Sequence, residues 1–117
     1  MKLPQGAKPV FRVWVEAGGV DVFGGGRAEL MDAVKRLGSL NRAAKDLGMS
    51  YRAAWGKIKT AEERLGFKLL EPRTGGKGRG SQLTSEAKDL LGAFRTFKTQ
   101  AGNAIDREFK SAFNSKR

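Results

Sequence analysis

Arg52 and Lys59 stand seven residues apart in the run Ser50-Tyr51-Arg52-Ala53-Ala54-Trp55-Gly56-Lys57-Ile58-Lys59-Thr60, two helical turns if that run is a helix. Charges of one sign at that spacing, interleaved with aromatic rings, suit the recognition of an extended anion and not the making of bonds. A planar guanidinium in the first turn, at Arg52, can bond a guanine edge in two places, and Lys59, farther along, is expected to meet a phosphate. Gly56 and Thr60 share the outward face with them. Tyr51 and Trp55 fall on its flank, where they either touch thymine methyls and sugars or wedge the helix against its neighbours. Gly56 either leaves room for a groove wall to approach or is simply a tolerated helix glycine.

A second cluster follows in Arg73-Thr74-Gly75-Gly76-Lys77-Gly78-Arg79-Gly80-Ser81. It is not the phosphate loop of a nucleotide hydrolase, because Gly76-Lys77 is followed by Gly78 and the position five before Gly76 is Glu71 where a glycine is required. Arg73, Thr74, Lys77 and Arg79 on a glycine-rich hairpin instead predict a wing that runs along a nucleic-acid backbone or minor groove; the alternative is a solvated surface loop.

Composition agrees with this chemistry. The 117 residues carry 23 Lys or Arg against 12 Asp or Glu, a formal charge of +11. The excess is local: residues 35–80 hold twelve basic and four acidic side chains, whereas residues 1–34 balance. With neither Cys nor His, disulfides, the common zinc sites and Cys or His nucleophiles are excluded; no catalytic residue, metal ligand or cofactor is expected. No apolar run approaches the roughly 18 residues that a membrane span needs, and the first ten residues lack the apolar core of a secretory signal, so a cytoplasmic protein without membrane contact is expected.

The elements that would position these residues can be read from periodicity and punctuation. Alternation from Val10 to Glu16, a turn at Ala17-Gly18-Gly19 and the apolar Val20, Val22 and Phe23 predict a hairpin over 10–23. Gly24-Gly25-Gly26 breaks the pattern, after which Leu30, Val34 and Leu37 follow helical spacing up to Gly38. Ser39 caps a short helix that ends at Gly48, and Ser50 caps another with Ala54, Ile58, Ala61 and Leu65 inward and Gly66 as its stop, a helix-turn-helix over 39–66. The wing occupies 67–83, with Phe67 to Glu71 as its first strand. Thr84 caps a long helix over 84–114. Its apolar stripe, including Leu90, Phe94, Phe97, Ala101, Ile105 and Phe109, exceeds what three short helices cover, so these residues are expected to pair two copies of the chain. The alternative is a helix folded back on its own core. The fold class expected is mainly helical with small β-hairpins: one winged helix-turn-helix domain, 1–117, with a long C-terminal dimerisation helix.

The segments Gly38-Ser39-Leu40-Asn41-Arg42-Ala43-Ala44, Gly48-Met49-Ser50-Tyr51-Arg52-Ala53-Ala54-Trp55, Arg73-Thr74-Gly75-Gly76-Lys77-Gly78 and Leu83-Thr84 resemble the N-terminal winged helix of ModE-type molybdate-responsive regulators, and more loosely that of LysR-type regulators. Phe23 to Leu30 fits the start of the same domain, so the resemblance spans about residues 10–100. It implies a prokaryotic, homodimeric transcription regulator that binds double-stranded DNA at a palindromic operator. ModE-type proteins continue into oxyanion-binding domains after the last helix, whereas this sequence stops at Arg117, so molybdate sensing is not expected of it. Two other readings stand beside this one: a DNA-binding adaptor that needs a partner sensor protein, and an oxyanion-binding or phosphotransfer enzyme built on the basic loop.

Overall fold

The computed structural model describes residues 1–74 and 79–113. Two strands, β1 (Trp14–Ala17) and β2 (Val20–Gly24), form a hairpin and lead into α1 (Gly25–Leu37), α2 (Leu40–Asp46) and α3 (Tyr51–Leu65). The short strands β3 (Leu70–Pro72) and β4 (Ser81–Leu83) make a second hairpin, and α4 (Ser85–Phe113) closes the chain. This is a winged helix-turn-helix followed by a long helix.

Local chemistry sets most boundaries. The Ser39 and Ser50 hydroxyls accept from the N–H groups of Arg42 and Ala53 at 3.1 and 3.0 Å, and Thr84 Oγ1 accepts from Ala87 N–H at 3.0 Å. Each satisfies a donor that the first helical turn leaves unpaired. Between α2 and α3 the chain reverses at Gly48, whose φ of 71° is a conformation that side chains with a Cβ disfavour. Ala44 and Ala54 are fully buried, and residues this small let α2 and α3 approach within one core. Phe23, Leu30, Met31 and Val34 fill its centre, and the Phe23 and Phe94 rings meet edge to face with centroids 5.2 Å apart.

Three boundaries differ from expectation; in the wing the first strand runs over Leu70–Pro72 and not from Phe67 to Glu71, because β4 offers partners only from Leu83 to Ser81. Strand β1 starts at Trp14 and not at Val10, since β2 pairs Gly24 with Trp14 and then turns into α1, leaving Val10 to Val13 without a partner strand. Residues ahead of Trp14 instead reach α4: the Phe11 ring lies 3.5 Å from where a Gly102 Cβ would stand, and Pro9 adjoins Ile105 and Phe109. The glycine triplet does not break the chain either. Only Gly24 is extended, closing on Trp14 where a Cβ would stand 2.9 Å from the Trp14 Cβ, while Gly25 and Gly26 form the first turn of α1. Burial of Leu30, Met31 and Val34 outweighs the helix penalty of about 1 kcal/mol for each glycine.

The wing is fastened to the body at its base. Ser81 N–H donates to the Gly38 carbonyl at 3.0 Å and Arg73 N–H to the Gly80 carbonyl at 3.1 Å. Gly80, at φ 148°, passes so close that a Cβ there would lie 2.4 Å from Gly38 O. Gly80→Ala is therefore expected to detach the wing base from α1 and lower stability by about 1 to 3 kcal/mol. Denaturant unfolding measures this, and an unchanged midpoint would contradict it.

Candidate nucleic-acid interface

The geometry of α3 follows from its buried stripe. With Ala54, Ile58 and Ala61 turned into the core, Tyr51, Arg52 and Trp55 emerge exposed, and Gly56, Lys59 and Thr60 are half-buried. Arg52 occupies the second position of the helix, and among the described residues its guanidinium enters no ion pair. Ser50 lies just ahead, with its hydroxyl engaged as the cap. Nothing within 4 Å would meet a Cβ at Gly56, so that stretch of the surface is open.

Tyr51 and Trp55, 51% and 47% exposed, stand at the rim of an open groove between α3 and the wing. Lys59 and Glu62 continue the α3 side, and Glu71, Pro72, Gly80 and Ser81 form the other. An aromatic flank facing a wing was not legible in a helical wheel, because the wheel places residues around α3 but says nothing about where the hairpin lies.

Lys59 also has partners within the protein: its ammonium, on a side chain 38% exposed, is 3.3 Å from Glu62 Oε1 and 5.4 Å from the centre of the Trp55 ring. Glu62 is the residue that sequence reasoning missed. Only 8% exposed, it accepts from Leu69 N–H at 2.7 Å and Leu70 N–H at 3.3 Å as well as from Lys59. The available signal was the three-residue spacing of Lys59 and Glu62 beside the inward Ala61. Burial alone would raise the Glu62 pKa, but the two backbone donors and the ammonium outweigh it and hold the carboxyl below the ordinary glutamate value. A carboxylate depressed on folding stabilises fully above its unfolded pKa, about 4.3, and that contribution is lost as pH falls through the folded value. Unfolding free energy should therefore drop below about pH 4.3, and Glu62→Gln should flatten the decline. Denaturant titrations between neutral and acidic pH check this, an equal slope in both proteins being the contrary result.

On the wing, Thr74 donates through its N–H and hydroxyl to Gln82 Oε1 at 3.2 and 3.3 Å, and Gln82 Nε2 donates to Glu71 at 2.9 Å. The Arg73 guanidinium packs beside Gly38, 2.9 Å from where a Cβ there would stand. Arg79 is exposed, and Lys77 lies outside the described residues. Several basic side chains of the fold are spent on structure: Arg27 donates to the Lys57 carbonyl at 3.1 Å, Arg64 to the Asp21 carbonyl at 2.7 Å, and Arg36 pairs with Asp46 at 3.1 Å.

The residues expected to pair two copies divide into three groups. Phe94 is 5% exposed against Phe23, so its ring belongs to the protomer core and has no surface to offer a second chain; Leu90 packs at the edge of that core. Phe97 is 49% exposed. Ala101, Ile105 and Phe109 are half-buried, and the N-terminal segment supplies part of that cover through Pro9, which lines a shallow apolar groove with Ile105, Phe109 and Phe113.

A capped helix-turn-helix with a basic, aromatic outer face and an anchored wing is the arrangement of winged helix-turn-helix DNA-binding domains. Comparison with known proteins narrows it: the profile of the family described as bacterial regulatory helix-turn-helix protein, lysR family, matches residues 27–88, and the chain belongs to that family. Among curated proteins it is similar to the molybdenum transport protein ModE of Azotobacter vinelandii, 37% identical over 82 residues, 69% of this chain and 30% of that protein. It is also similar to the molybdenum transport protein ModE of Herbaspirillum seropedicae, 43% identical over 67 residues, 56% of this chain and 25% of that protein. The chain thus spans less than a third of the length of these relatives. Among solved structures, the CbnR DNA-binding domain in complex with DNA matches with a TM-score of 0.57 at 29% identity, covering 74% of this chain and 94% of that one. Among the described residues, no helix is long and apolar enough to cross a membrane.

Proposed function

We propose that this chain binds double-stranded DNA and regulates transcription as a homodimer on a palindromic operator. In this reading α3 enters the major groove, Arg52 reads base edges, Tyr51 and Trp55 lie against sugars or thymine methyls, and Arg73 and Arg79 approach the backbone from the wing. The observation that carries it is the exposed Arg52 with its aromatic neighbours on a helix whose opposite face is buried, beside a hairpin tied down at its base. Membership in a regulatory helix-turn-helix family supports the same conclusion. Pairing would run through α4 beyond Phe94, where Phe97 offers the apolar surface.

The test is fluorescence anisotropy with a labelled random-sequence duplex at increasing salt. Binding is expected with a dissociation constant of about 1 to 100 µM and a log–log salt slope that reflects how many phosphates are neutralised. Absence of binding at low salt would overturn the reading.

A further inference from the structure

Glu62 links the start of β3 to Lys59 on α3 and, through it, to Trp55. Its Oε2 receives the Leu69 and Leu70 N–H groups, the point where the chain enters β3, and its Oε1 receives the Lys59 ammonium, which in turn stands over the Trp55 ring. Among the described residues it is the one charged side chain in the core. The hairpin it holds is paired over just three positions, Leu70 to Leu83, Glu71 to Gln82 and Pro72 to Ser81, too few to fix its own orientation. On the β4 side, Ser81 bonds Gly38 and Thr84 N–H bonds the Leu69 carbonyl at 3.0 Å. At the entry to β3, the Glu62 carboxylate ties the wing to α3 itself.

We infer that Glu62 is a positioning residue for nucleic-acid binding: through Leu69 and Leu70 it sets the spacing between α3 and the wing, and through Lys59 it holds Trp55 upright in the groove between them. The inference rests on the DNA-binding reading above and adds to it a division of labour. Lys59 is an internal link, so its charge does not serve a phosphate. A charge-assisted bond to two backbone donors is stronger than a neutral one, and an amide at position 62 would supply a single oxygen to the same donors and no charge to Lys59.

The experiment uses the full chain in a Trp14→Phe background, which leaves Trp55 as the sole tryptophan of two. Glu62→Gln and Lys59→Met are compared with the parent by Trp55 emission and acrylamide quenching without DNA, and by the salt dependence of binding to a random-sequence duplex. Glu62→Gln is expected to red-shift and expose Trp55 and to lower the salt slope by about one unit for each phosphate that the displaced wing no longer reaches. Lys59→Met should reproduce the change at Trp55 while leaving the slope at the parental value. A role confined to stability would shift the unfolding midpoint and leave slope and quenching of the folded variants unmoved, which would overturn the inference. So would a fall of about one unit in the Lys59→Met slope, since that places Lys59 on a phosphate. If Glu62→Gln does not fold, Lys59→Met decides by the same two outcomes. Failure of the parent to bind any duplex would overturn the DNA-binding reading and the inference together, whereas parental binding with an unchanged Glu62→Gln slope overturns the inference alone.

Discussion

Phe94→Ala is expected to lower the stability of the folded protomer by about 3 to 5 kcal/mol, whereas Phe97→Asp, one turn along the same helix, is expected to leave the protomer folded and separate the proposed dimer. The contrast follows from burial. Phe94 closes the core edge to face against Phe23, and truncating it leaves a cavity between α4 and the hairpin side of the domain. Phe97 is half exposed beyond the core, so a charge there meets water in the single chain. In a symmetric pair the substitution strikes twice. If each copy buries its Phe97, the loss is about 3 kcal/mol or more, a hundredfold or greater rise in the dimer dissociation constant. Sedimentation velocity and thermal unfolding of both variants separate the two effects. A wild-type monomer at high micromolar concentration would contradict the pairing, and an unaltered midpoint in Phe94→Ala would contradict the core assignment.

Arg52→Ala should weaken binding to a selected operator by about 1 to 3 kcal/mol and relax preference at a single base position. Arg79→Ala should weaken all sequences alike and reduce the salt slope by about 0.9. The difference arises because a guanidinium at the start of α3 can present two donors to one base edge, while a wing arginine meets phosphates that carry no sequence information. Competition binding with the operator and its single-base variants distinguishes them. An unchanged base preference in Arg52→Ala, combined with an altered one in Arg79→Ala, would reverse the assignment.

The readable parts of the fold were those whose causes are local. Ser39, Ser50 and Thr84 bond N–H groups three residues ahead, and Gly48 and Gly66 adopt positive φ where the chain must turn, so each marks a boundary without reference to the rest of the molecule. The inward stripe of α3 was legible for the same reason: helical periodicity alone places Ala54, Ile58 and Ala61 on one side. What escaped depends on packing between distant segments. Alternation from Val10 onward could not show that β2 would run out at Gly24, nor that the residues before Trp14 would lie along α4. The stripe on α4 is continuous in sequence, yet the body of the domain ends at Phe94, and only packing separates core from surface. Glu62 was invisible because an acidic residue in a helix reads as solvated until its oxygens find the Leu69 and Leu70 donors beyond the turn at Gly66.

Two copies of α3, held in one dimer, should read the two halves of a single duplex site. Selection of bound sites from a random duplex pool by the wild-type chain tests it most directly. The expected result is enrichment of an inverted repeat whose half-sites are centred about 10 base pairs, or a multiple of that, apart. Recovery of the pool without enrichment, or of a motif lacking two-fold symmetry, would contradict it.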